Sequence, residues 1–305
     1  MSRVHDALRR AEMGGLLPPE EAPVMPMDSP SSSIGGAPEM RNGADVFNGS
    51  AASSMMAAAS ATRLNLNPAM LAEVQVVAFD PAPESHLLDL NNSHETPAEE
   101  FRTLRTRLNH LQTLQPLHTI VVTSPSPAEG KTFSAVNLAL AQSHLAESSV
   151  LLGDFDLRRP IVHNLFQIDR APGLSDFLTG QCSFAQALRK VESMNLYLLP
   201  AGSPVKNPLE LLNMRQSRLL FEELPRMFNW AVFDTPPLLF SADANLLATM
   251  ADGTILVVKI GSTTFDNVTR AMQSLCENNV LGIVANGARA SELYSKYTYY
   301  YSKAE

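Results

Sequence analysis

The sequence predicts one α/β domain built on a mostly parallel sheet with helices on both faces, and three observations predict it. Short aliphatic runs recur at Thr119-Ile120-Val121-Val122, Val150-Leu151-Leu152, Leu196-Tyr197-Leu198-Leu199, Ala231-Val232-Phe233, Thr254-Ile255-Leu256-Val257-Val258 and Gly282-Ile283-Val284. These runs are continuous rather than alternating, as strands buried on both faces are. Longer stretches with helical patterning, such as residues 133–146 and 241–250, separate them. Strands alternating with helices make a parallel sheet that needs about 200 residues, and no internal repeat interrupts the pattern.

The elements begin with a segment that does not fit that domain. Residues 14–93 are rich in Pro, Ser, Ala, Met and Gly and poor in aromatic and branched side chains, so residues 1–94 read as a largely disordered arm. Val4, Leu8 and Ala11 stand at helical spacing near its start, which fits a short docking helix or an idle frayed end equally. No run approaches the ~20 apolar residues of a membrane-spanning helix, and no apolar stretch follows the basic N-terminus. A chain that stays in the cytoplasm is therefore expected. Its net charge of −8, without a basic stripe, argues against nucleic acid as a partner. Cys182 and Cys276 are too few and too far apart for a disulfide framework or a zinc site.

The strand at residues 119–123 runs into Ser124-Pro125-Ser126-Pro127-Ala128-Glu129-Gly130-Lys131-Thr132 and then a helix. Backbone N–H groups of such a loop and helix start converge on an anion, a lysine reaches the outer phosphates, and a threonine hydroxyl meets Mg²⁺. Pro125 replaces the usual first glycine of that pattern. Pro127, Ala128, Glu129, Gly130, Lys131, Thr132 and Phe133 are thus the candidate ATP-binding residues. Two acids, Asp154 and Asp156, end the next strand, and Asp234 ends the run Trp230-Ala231-Val232-Phe233. Carboxylates at the C-terminal ends of strands sit where open α/β sheets bind ligands, although one aspartate there can equally cap a turn. Asn286 follows the last strand, where an Asn-Gly turn accounts for it.

With these motifs in order, the chain from about residue 95 onward resembles the bacterial tyrosine kinases of the exopolysaccharide and capsule type, which resemble the ParA/MinD ATPases in fold. The family's phosphate-loop proline is met by Pro127, its acidic motif ending in Arg-Arg-Pro by residues 154–160, and its Asp-x-Pro-Pro by Asp234-Thr235-Pro236-Pro237. Pro172-Gly173-Leu174-Ser175 and Leu199-Pro200-Ala201-Gly202 resemble family connections. The resemblance implies ATP and Mg²⁺ as cofactors, with Thr132, Asp156 and Asp234 on the metal and Asp154 as the catalytic base, and Asn286 stands where related ATPases contact the nucleotide base, a position its Asn-Gly turn explains as well. Asp154 and Asp156 can exchange those roles. It also implies that Glu99, Arg102 and Arg105 join subunits into a ring. A solvated intrahelical Glu99–Arg102 pair explains the same spacing.

Five of the six tyrosines, Tyr294, Tyr297, Tyr299, Tyr300 and Tyr301, crowd the last dozen residues. Polar neighbours make a buried strand a poor explanation, and scarce positive charge does the same for stacking on nucleic-acid bases. The chain is therefore expected to hold a kinase domain at residues 95–290 and an autophosphorylation tail at 291–305. A separate inner-membrane activator of the polysaccharide co-polymerase type is implied, placing the kinase at the inner face of the membrane. The rivals are a ParA/MinD-type ATPase, whose extra loop lysine is absent at Ser126, and a catalytically silent ATP-dependent scaffold.

Overall fold

The computed structural model describes residues 64, 66–81, 87, 97–275 and 280–288. The expected helix at residues 4–11, the five tail tyrosines and Cys276 lie outside the described residues. Cys182 is a free thiol.

Eight strands form one sheet: β1 (Gln75–Val77), β2 (Thr119–Thr123), β3 (Val150–Asp154), β4 (Arg189–Val191), β5 (Leu196–Leu199), β6 (Trp230–Asp234), β7 (Gly253–Lys259) and β8 (Val280–Asn286). Their order is β1-β4-β5-β3-β6-β2-β7-β8. Every pair is parallel except β4 with β5. All six strands expected from the aliphatic runs are present, in the contiguous order β5-β3-β6-β2-β7-β8. The central strands β2, β3 and β6 are buried at every position, which is why their sequences do not alternate.

Helices follow the strands. Helix α1 (Ala98–Leu114) turns Ala98, Phe101 and Leu108 inward, and Glu99 and Glu100 sit in its first turn, where negative charge suits the helix dipole. Helix α2 (Lys131–Ser143) is almost wholly buried, and its alanines let it lie close to β3, β6 and α1. Helices α3 (Val162–Leu165), α4 (Leu174–Leu178), α5 (Phe184–Ala187), α6 (Pro208–Leu212), α7 (Arg215–Met227), α8 (Ala242–Met250) and α9 (Phe265–Ser274) complete the set among the described residues. Alternate residues of the central strands feed two large apolar clusters: Val121, Leu151, Ala231 and Phe233 into one, Ile120, Val122, Leu152 and Val232 into the other. The connections at residues 172–175 and 199–202 lie against each other. Leu174 N–H donates to Pro200 O at 2.8 Å, and a Cβ on Gly173 would stand 2.2 Å from that carbonyl.

Two strands were not expected. Residues 66–77, which composition assigns to the arm, form a 3-10 helix (Pro68–Glu73) capped by Asn67 and then β1 on the sheet edge. Val74 is buried, and Leu64, Leu66, Met70 and Leu71 pack onto the core. An average over 80 polar and small residues hides a dozen that carry enough apolar surface to dock. The three-residue β4 is too short to leave a periodic signal.

Candidate functional site

The register of the sheet assembles the site. Asp154 pairs with Asp234 across β3 and β6, and Asp234 pairs with Val122 of β2, so three strands end level beside the loop that enters α2. Cross-links hold this edge together. Thr123 Oγ1 donates to Pro236 O at 2.8 Å, and Thr235 Oγ1 to Val122 O at 3.1 Å.

The loop itself turns at Ala128 (φ 62°) and Gly130 (φ 95°), both left-handed. A non-glycine residue there is strained and persists only when its surroundings hold it. The Glu129 side chain supplies that hold, accepting from Ser126 N–H at 2.8 Å and from the Thr263 hydroxyl. Asn286 Nδ2 donates to the Glu129 carbonyl at 3.0 Å, so the end of β8 clamps the same loop. A Cβ on Gly130 would lie 1.9 Å from that Asn286 nitrogen. The N-terminal N–H groups of α2, unpaired in any helix, open onto the loop.

Lys131, Thr132, Asp156 and Asp234 converge. Lys131 Nζ lies 3.1 Å from Asp156 Oδ2, 3.4 Å from Asp234 Oδ1 and 3.3 Å from Thr132 Oγ1. The Thr132 hydroxyl donates to Asp234 Oδ2 at 2.6 Å. Asp154 lies deeper and is spent on backbone N–H groups, those of Ile161 at 3.1 Å, Val162 at 3.0 Å and Asp156 at 3.3 Å. It shapes the turn after β3.

One ammonium thus faces three buried carboxylates. Burial pushes the Asp234 carboxyl up to about 6, against the pull of the Lys131 charge and the Thr132 hydroxyl. Burial and then the charge of Asp234 push Asp154 well above the usual range. Burial alone would lower Lys131, but Asp234 and Asp156 more than offset it and keep the amine protonated. The two partners of one ion pair both move upward, Asp234 because burial outweighs the pull of the ammonium and Lys131 because a surplus of carboxylates outweighs burial. That surplus, on hard oxygen donors beside a helix start, fits a divalent cation carried in with a polyphosphate. Among the described residues no three His, Cys, Asp or Glu side chains form a ready-made metal cage. Mg²⁺ does not require one, since phosphates and waters complete its shell.

A cleft of about 800 Å³ opens beside this group, lined by Pro127, Ala128, Gly130, Lys131, Thr132 and Asp156 among others. Arg158 also lines it, forked onto Asp243 at the start of α8, with Nε to Oδ2 at 2.7 Å and Nη2 to Oδ1 at 3.1 Å. Phe133 borders both this cleft and a groove of about 890 Å³ between α1 and β8, where Asn286 also lies.

The structure therefore brings Lys131, Thr132, Asp156 and Asp234 together and sets Asp154 behind them. Asn286 touches the loop, not the cleft. Glu99 pairs with Arg102 on α1, while Arg105 turns inward to donate to Ala141 O at 2.9 Å near the end of α2. Asp243 and Thr263 escaped the sequence reading. Asp243 looks like an ordinary acid in a first helical turn, and nothing near Thr263 signals a contact 134 residues away.

No family model matches the chain. It is 35% identical over 208 residues to tyrosine-protein kinase YwqD of Bacillus subtilis (strain 168), covering 68% of this chain and 87% of that protein. It is 33% identical over 214 residues to tyrosine-protein kinase etk of Escherichia coli (strain K12), covering 68% of this chain but only 29% of the relative. The chain thus spans most of the first relative and under a third of the second. Among solved structures it superposes on the kinase domain of Escherichia coli tyrosine kinase ETK with a TM-score of 0.63 at 30% identity, covering 67% of this chain and 82% of that one. The BceF tyrosine kinase domain gives 0.58 at 32% identity, covering 63% and 77%.

Proposed function

The chain belongs to the bacterial tyrosine-kinase family, and from that membership we propose that it transfers the γ-phosphoryl group of ATP to the tyrosines of its own C-terminal segment, between neighbouring copies in a ring. The single observation that carries the phosphoryl transfer is the convergence of Lys131, Thr132, Asp156 and Asp234 beside one cleft at the mouth of a phosphate loop.

Residues 128–132 cradle the phosphates through backbone N–H groups, and Lys131 leaves its carboxylate partners to meet the outer phosphates. Thr132 and Asp234 would hold Mg²⁺, which would supply positive charge to offset that of the phosphates. A tyrosine hydroxyl is a weak nucleophile at neutral pH, so it needs a base. We give that role to Asp156 rather than Asp154, because Asp156 lines the cleft whereas Asp154 is fully buried and occupied by backbone N–H groups. Asp156 accepts the phenolic proton as the tyrosine oxygen bonds to the γ-phosphorus. The bond from that phosphorus to the bridging oxygen breaks, and its electron pair leaves with ADP. Phe133 and Asn286 direct the base of the nucleotide toward the groove they border.

The ring contact is assigned to Glu99, Arg102 and Arg105 on α1, and added phosphate charge loosens it by repulsion. A separate membrane-bound partner of the polysaccharide co-polymerase type activates the kinase at the inner face of the membrane and links it to exopolysaccharide or capsule production. Among the described residues no helix is long and apolar enough to cross a membrane.

Incubation with Mg-ATP, with and without the cytoplasmic segment of such a partner, tests the assignment. Phosphotyrosine is expected on the wild type and not on Lys131→Met; equal label on both, or none on either, overturns it. In a mixture, a tagged Lys131→Met copy acquires label if transfer runs between subunits, and stays blank if it does not.

A further inference from the structure

The cleft beside Lys131 has an apolar rim that phosphate chemistry does not use. Phe240 is 68% exposed and Ile161 42% exposed, and both line the cleft along with Pro236 and Pro237. Exposed rings cost hydration, so a fold retains one at a catalytic mouth most readily when something covers it in use. Phe240 is also not on a loose loop. Leu238 N–H donates to Ser124 O at 2.9 Å, Leu239 N–H to Pro125 O at 3.3 Å, and Phe240 N–H to Pro237 O at 3.2 Å. Leu238 and Leu239 pack into the core beside Ala244 and Leu256. Ser241 then caps α8, its hydroxyl accepting from Asp243 N–H at 3.2 Å. The segment buries Leu238, packs Leu239 partly against the core, starts a helix, and leaves the intervening phenylalanine fixed at the cleft. Ile161 is equally constrained, since its N–H donates to Asp154 and its carbonyl accepts from Asn164 and Leu165.

We infer that Phe240 and Ile161 seat the ring of the acceptor tyrosine and thereby select tyrosine over serine and threonine. This rests on the kinase assignment and adds to it the residues that read the acceptor. An aromatic ring gains burial and an offset or edge-on contact with Phe240, and its length carries the hydroxyl inward to Asp156. A serine or threonine gains neither. Five of the chain's six tyrosines stand in residues 294–301, which makes the tail of a second copy the occupant this rim fits. The competing occupant is the aromatic base of ATP.

The test uses full-length donors in which Tyr294, Tyr297, Tyr299, Tyr300 and Tyr301 are each changed to Phe, so that label reaches only the acceptor. The acceptor is a tagged full-length chain carrying Lys131→Met, titrated at saturating Mg-ATP. Donors with Phe240→Ala or Ile161→Ala should need about threefold to tenfold more acceptor for half-maximal rate at unchanged KM for ATP. Phe240→Trp should restore the acceptor dependence, and equal thermal midpoints exclude a folding defect. Unchanged acceptor curves overturn the inference. So does a rise in KM for ATP alone, which would give the rim to the base. A donor with native Phe240 that labels no acceptor removes the kinase assignment itself.

Discussion

At the residue scale, three buried acids illustrate how environment rather than identity decides a role. Asp234, with its pKa pushed up to about 6 by burial, holds a proton in the folded protein between about pH 4 and 6 that the unfolded chain, at 3.8, has released. The folded state therefore binds more protons in that window, and this site's contribution to stability falls as pH rises through it. Asp154, shifted the same way, acts in the same direction. The nucleotide-free wild type should thus lose thermal midpoint between pH 4 and 6 relative to Asp234→Asn; parallel profiles would contradict the shift. Asp243 is fully buried, whereas the side chain of its partner Arg158 is 47% exposed. Removing the arginine strands a carboxylate, while removing the acid frees a guanidinium into water. Arg158→Ala should accordingly cost about 2 kcal/mol in urea denaturation, and Asp243→Asn less.

At the element scale, the phosphate loop depends on contacts from the far end of the chain. Gly130→Ala meets two obstacles, a backbone angle of φ 95° and the Asn286 amide 1.9 Å from the new Cβ. The amide can swing away, but the left-handed angle persists at about 1–2 kcal/mol. Adding Asn286→Ala to Gly130→Ala should therefore recover only part of the lost Mg-ATP affinity in calorimetry. Full recovery would mean that the clash alone mattered. Thr263 tests the other clamp. Thr263→Val removes the hydroxyl that Glu129 accepts, and it should raise KM for ATP several-fold with Thr263→Ser near wild type. The loop motif was legible because its chemistry is local; its clamps were not, because Thr263 and Asn286 reach it only through the order of strands in the sheet.

For the molecule as a whole, the domain extends farther toward the N-terminus than composition suggests. Val74 is 6% exposed beside β1, and Met70 and Leu71 pack on the same cluster. Val74→Ala should cost about 1–2 kcal/mol, seen as a midpoint lower by several degrees, whereas a solvated arm would show no change. Strands β2, β3, β5, β6 and β7 were legible because burial on both faces forces unbroken aliphatic runs. β1 and β4 were not, because three residues pair only where neighbouring strands already supply an edge.

The sequence by itself determined the alternation of strands and helices, the phosphate loop, the three strand-end acids and the crowding of tyrosines, since each is written in adjacent residues. Tertiary structure alone decided that Asp156 and Asp234 meet Lys131 while Asp154 is spent on the backbone. It alone also set Phe240 at the cleft and tied the loop to β8. Those outcomes follow from strand order and register, which bring Asp156 onto Lys131 across 25 positions and Asp234 across 103.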